Sequence, residues 1–231
     1  MNPSLPSTVL PTTAWSSAPR TPGPNFRAGV LAVLLLPLGG VGCFGQSVPD
    51  PVRYDLGVDR DPVDAPAGAP VLRVGNVRVP PRFDDTAFVY LDDGGVWRRD
   101  FYSRFAEPPG TVVRELLTDW LEDAGLFAAV LDGPSFVESD LRLRARIRSL
   151  YVDRREPDAP AATLSVVVEV ARAPRSGGEL LLYRRFEGRE SLARSGGAAV
   201  RDAYGALFRA FLAELEGELR EVLGPPSSSG S

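Results

Sequence analysis

Between Asp140 and Asp153 apolar and charged residues alternate. Leu141, Leu143, Ala145 and Ile147 are interleaved with Arg142, Arg144, Arg146 and Arg148. A period of two sends the two sets to opposite sides of an extended chain, whereas a helix would mix them. The segment therefore predicts a strand with one buried face and one polar face. Antiparallel sheets accept that arrangement, because only one side of them has to be covered. The following residues extend the pattern. Thr163 to Arg172 directs Leu164, Val166, Val168 and Val170 inward, Ser176-Gly177-Gly178 turns the chain, and Glu179 to Arg189 returns as the last strand.

Upstream, Val71 to Val79 reads as a strand whose phase breaks at Gly75-Asn76, a bulge or kink. Thr86 to Leu91 and Val96 to Phe105 form a hairpin around Asp92-Asp93-Gly94-Gly95. A helix is expected from Thr111 to Ala124, with Thr111 as its first cap and Gly125 as its last. Leu126 to Leu131 continues as a strand. A long helix spans Gly197 to Leu223 on a stripe that includes Val200, Tyr204, Leu207, Phe208, Phe211, Leu215 and Leu219. This order predicts an α+β fold, a single mostly antiparallel sheet with two amphipathic helices packed on one face. Residues 70–224 form that domain and 225–231 a disordered tail. Phe44 to Pro70, rich in Pro and Asp, reads as an extended tether; within it Tyr54-Asp55-Leu56 suits an edge strand or docking point.

The start of the chain is different in kind. Ala28 to Cys43 reads AGVLAVLLLPLGGVGC, an apolar run after Arg27 that ends on the only cysteine. Pro37 and four glycines dilute it before it reaches the roughly 20 apolar residues of a membrane span. It resembles a secretory signal followed by a bacterial lipobox, with Gly40 where Leu is usual. Residues 1–42 then form a signal peptide with a long N-terminal extension, and Cys43 is the lipidated first residue of the mature chain. An uncleaved apolar anchor, or a buried element with an inert cysteine, is the other reading.

Composition narrows the chemistry. All 26 basic residues are Arg, and there is no His. Two of the arginines precede Cys43 and all 30 acidic residues follow it, so the later part carries 24 − 30 = −6. A negative domain is not a general nucleic-acid binder. With no His and one Cys, most zinc sites and all intrachain disulfides are excluded, and the usual general base is missing. No catalytic residue, metal or cofactor is expected.

Two constellations remain. The row Arg142, Arg144, Arg146 and Arg148 repels itself unless something offsets it. It reads either as a solvated ladder with Glu169, Glu187 or Glu190, or as a contact surface for a partner or an anionic lipid head group. Trp97, Phe101, Trp120, Tyr204, Phe208 and Phe211 read as core, with a lipid pocket as the alternative. Asp84-Asp85 and Asp92-Asp93 sit beside turn signals and read as solvated.

Taken in order, these pieces resemble the ABC-type transport auxiliary lipoproteins, including those similar to paraquat-inducible protein C. The resemblance runs from Cys43 to about Leu223. It is carried by Tyr54-Asp55-Leu56, Leu72-Arg73-Val74-Gly75, Val79-Pro80, Arg82-Phe83-Asp84, Arg104-Phe105-Ala106-Glu107-Pro108-Pro109 and Gly125-Leu126-Phe127. Phe105 stands where the family usually has Trp. The resemblance implies a non-enzymatic periplasmic lipoprotein, anchored to the outer membrane or alternatively the inner one. Its partners would be an MCE-domain (mammalian cell entry) protein, a permease and an ATPase of a lipid transporter, with a homo-oligomer also compatible. Assistance in lipopolysaccharide or outer-membrane assembly, or a carboxylate-based hydrolase, are the alternatives.

Overall fold

The computed structural model describes residues 49–133, 136–174 and 178–224. Strand β6 (Leu141–Asp153) is the axis of an eight-stranded open sheet. Along one edge it pairs antiparallel with β7 (Ala161–Arg172), which pairs antiparallel with β8 (Leu180–Ser191). Its other edge is shared. β2 (Val71–Val74) lies parallel to Leu141–Leu143, and β3 (Ala87–Asp92) lies parallel to Val152–Asp153. Outside β2 lies β5 (Ala129–Asp132), in parallel. Outside β3 lies β4 (Val96–Phe105), antiparallel, and β1 (Val52–Tyr54) pairs parallel with its last three residues. The long ladders are antiparallel, so the sheet is mostly so, as the alternation predicts.

Helices α1 (Pro109–Asp123) and α2 (Gly197–Leu223) cover one face and touch each other. α2 packs on β7 and β8, and α1 on β2 and β5. Between sheet and helices lie Leu72, Leu143, Ile147, Val166, Leu117, Leu121, Tyr204 and Leu215, all almost fully buried. A buried Leu or Ile side chain contributes about 1.5–3 kcal/mol relative to an exposed one. This continuous apolar layer is therefore the main stabilising contact.

Several local details differ from expectation. α1 starts at Pro109 with Pro108 as its cap, and Thr111 sits inside the first turn. Proline fits there because its missing N–H would have no helical partner. Gly125 follows α1 with φ 65°, as a C-terminal cap should. A side chain there would also strike Val63 O at 2.8 Å, since Val63 N donates to Asp123 O beside it. After β2 the bulge is real: Val74 faces Leu143 but Arg78 faces Arg146, so one extra residue loops out around Gly75-Asn76.

The larger difference is the expected tether. From Val52 to Arg60 it is packed on the domain: β1 extends the sheet and Leu56 and Val58 are buried, while residues 61–68 are exposed. Arg60 then pairs with Glu216 of α2, a carboxylate that also accepts from Trp120 Nε1 at 2.9 Å and Arg220 Nη2 at 2.6 Å. Burial raises the pKa of Glu216, but these donors outweigh it and hold the carboxyl below its ordinary value.

Candidate functional site

The sheet face away from the helices carries the arginine row. On β6, Leu141, Leu143, Ala145 and Ile147 are buried while Arg142, Arg144, Arg146 and Arg148 are exposed. Arg142 faces Ala171, Arg144 faces Glu169 and Arg146 faces Val167 on β7, and Arg148 falls in a register shift. On the other side Arg73 faces Arg142 and Arg78 faces Arg146. Arg73, Gly75, Asn76, Gly133, Arg142 and Arg144 line a shallow groove of about 390 Å³.

The expected ladder does not form. Glu169 lies opposite Arg144 without an ion pair. Glu187 instead lies 3.8 Å from Arg185 and accepts from Ser165 Oγ at 3.4 Å. Glu190 pairs with Ala162, in register with helix-facing Val152. Other arginines are occupied: Arg155 and Arg189 clasp Asp153 at 2.8 and 3.0 Å, Arg184 meets Glu218 at 3.1 Å, and Arg73 donates to Gly133 O and Val137 O. Among the described residues, Arg78, Arg142, Arg144, Arg146 and Arg148 are the arginines whose side chains have no hydrogen bond, ion pair or ring contact. Arg78 was missed from the sequence, because the bulge at Gly75-Asn76 decides which way it faces.

Further along β6 the same face changes character. Tyr151 stacks on Phe83 at 6.4 Å and meets the edge of Trp97 at 5.1 Å, with Arg82 over Trp97 at 4.8 Å. The strand ends at Asp153, whose carboxyl is held well below the usual carboxylate range, chiefly by Arg155. Asp153 is therefore already neutralised and does not compensate the row. Of the six aromatics read from the sequence, Trp120, Tyr204, Phe208 and Phe211 are core. Trp97 and Phe101 are not: they are 41% and 56% exposed on β4. The β3–β4 register shifts between Ala87 and Val89, so simple alternation fails there.

Asp85 and Asp92 are occupied by structural contacts. Asp85 accepts from Thr86 Oγ1 and Ala87 N, and Asp92 pairs with Arg98 and Arg154. Among the described residues no cluster of His, Cys, Asp and Glu could hold a metal ion, and no helix is long and apolar enough to cross a membrane. Cys43, the apolar run before it and the tail after Gly224 lie outside the described residues.

Among solved structures, protein XCC0632 from Xanthomonas campestris is similar at 22% identity and TM-score 0.62, covering 72% of this chain and 93% of its own. An uncharacterized protein matches at 16% identity and TM-score 0.55, covering 69% and 98%. At these identities the likeness speaks for the fold. No curated protein matches. Residues 54–216 match the sequence model of the ABC-type transport auxiliary lipoprotein components, a span that takes in every strand of the sheet from the end of β1, α1 and most of α2. The chain belongs to that family, and its role is that of an auxiliary component of ABC-type transport.

Proposed function

We propose that the protein is a non-catalytic, periplasmic auxiliary subunit of an MCE-type lipid transporter, held to the outer membrane through an acylated Cys43. The observation that carries this reading is the family match over residues 54–216. The apolar run ending on the sole cysteine supports the anchor. ATP hydrolysis belongs to a partner ATPase and the membrane path to a permease; this subunit meets the MCE-domain protein. The contact surface is the row Arg142, Arg144, Arg146 and Arg148, joined by Arg78. Unpaired guanidinium groups on a negative domain attract an acidic partner surface and orient it by bidentate bonds.

The test is affinity purification of the chain from envelope extracts, with a lipid label. The natural chain is expected to carry the label, fractionate with membranes and bring down the MCE-domain protein and the ATPase. Cys43→Ser should lose the label and the membrane fractionation. A labelled, membrane-bound chain that never captures a transporter subunit would refute the transporter assignment.

A further inference from the structure

β4 turns large apolar side chains outward. Val96, Trp97, Phe101 and Tyr102 are 48%, 41%, 56% and 47% exposed. Phe101 meets Tyr102 edge-on at 5.1 Å, Arg104 lies over Phe101 at 5.9 Å, and Arg82 lies over Trp97. Beyond Ser103–Phe105 no strand covers the outer edge of β4 among the described residues. Aromatic rings with arginine at their margins suit the boundary between water and a bilayer. The ring body seats among the head groups while the guanidinium meets phosphate.

The path of the chain limits how far the anchor can stand from this edge. β1 and β4 run parallel, with Val52 opposite Ser103 and Tyr54 opposite Phe105. The chain arriving at Val52 therefore comes from the side of β4 that holds Tyr102 and Phe101. Cys43 precedes Val52 by nine residues, a reach of at most about 30 Å even when fully extended. An anchored Cys43 therefore leaves this end of β4 no more than about 30 Å from the bilayer.

We propose, resting on the acylation of Cys43 above, that the Val96–Tyr102 edge of β4 is a membrane-contact surface. Trp97, Phe101 and Tyr102 enter the head-group layer, and Arg82 meets lipid phosphate. The lipid anchor and this edge together fix the orientation of the domain. The arginine row lies farther along the same open face, beyond the Tyr151, Phe83 and Trp97 cluster.

Because the cysteine is unique, the test does not depend on acylation in the cell. The full chain is coupled through Cys43 to a maleimide lipid in vesicles of phosphatidylethanolamine and phosphatidylglycerol. Trp97 emission is taken as the difference between the natural chain and Trp97→Phe. On coupling, its quenching by iodide should fall several-fold, and lipids brominated near the glycerol backbone should quench it. Phe101→Ser combined with Tyr102→Ser should restore iodide access while leaving the thermal transition in place. Trp97 emission equally open to iodide before and after coupling, and untouched by brominated lipid, overturns the proposal. A Cys43 that carries no lipid in cells refutes the anchor reading alone; the coupled chain still decides whether the edge faces lipid.

Discussion

Replacing Glu216 by Gln isolates the clasp between the N-terminal segment and α2. Gln keeps the volume and can still accept from Trp120 Nε1, so the loss is mainly one of charge. Arg220 is 58% exposed, and its share is screened to about 0–1 kcal/mol. Arg60 is different: its side chain is 15% exposed and that of Glu216 is 11%. Hydrogen bonds to charged groups are worth about 1.5–3 kcal/mol. An expected loss of about 2–3 kcal/mol follows, below the 3–5 kcal/mol of a fully buried broken pair. For a domain of this size that lowers the melting temperature by about 2–4 °C per kcal/mol. Circular dichroism melts and urea titrations should agree on it. The pH dependence has a definite sign. The folded-state pKa of Glu216 is depressed, so its stabilisation is full above the ordinary Glu value of about 4.3 and is lost as pH falls through the lower folded value. The gap between the natural chain and Glu216→Gln should stay constant from neutral pH down to about 5 and close in stronger acid. A variant within about 0.5 kcal/mol of the natural chain at pH 7 would refute the clasp, since that is what an exposed pair contributes.

Trp120→Ala should cost about 3–5 kcal/mol, measured by denaturant titration, because the ring is 8% exposed and leaves a cavity. Gly197→Ala should destabilise by about 1–3 kcal/mol, since its Cβ would stand 2.5 Å from Ser103 Oγ and 2.7 Å from Tyr54 Cε2; an unshifted melt would show that β1 yields freely. Arg144→Gln with Arg146→Gln should change stability by no more than about 0.5 kcal/mol, as neither arginine has a partner to lose. The same pair should weaken capture of the MCE-domain protein most at low salt, and undiminished capture there would return the row to a solvated face. Asp153→Asn should destabilise at neutral pH and converge with the natural chain as acid protonates Asp153, whose depressed pKa places that loss below about pH 3.9.

The parts that were legible in the sequence are those governed by local period. The first half of β6 and α2 each carry a long regular pattern, β7 and β8 follow β6 as successive hairpin strands, and the contacts of these elements are mostly between neighbours along the chain. The parallel pairings of β2 and β3 with one edge of β6 were not legible, because nothing in either strand specifies a distant partner. β1 was seen only as an island at Tyr54-Asp55-Leu56. Three residues among prolines give no period, and its burial depends on Gly197 leaving room. The arginine row was plain, but its isolation was not. That follows from Glu187 lying beside Arg185 and from a register shift at Arg148, which only the paired strands reveal. The outward aromatics of β4 likewise follow from an irregular ladder rather than from the order of residues.

The packing of residues 52–64 also decides how the domain bears mechanical load. A pull on the chain ahead of Val52 first meets β1, whose three residues are held by β4 and, through Tyr54, by Gly197 of α2. The next resistance is Leu56 and Val58 in the core, and then Arg60 on Glu216. Glu216 belongs to the 27-residue helix that spans β7 and β8, so tension arriving there is spread over the sheet instead of peeling it strand by strand. The Val63 N to Asp123 O bond passes a second share to α1. Load entering at β1 thus passes to both helices through Leu56, Val58, Arg60 and Val63 before it reaches the strands that carry the arginine face.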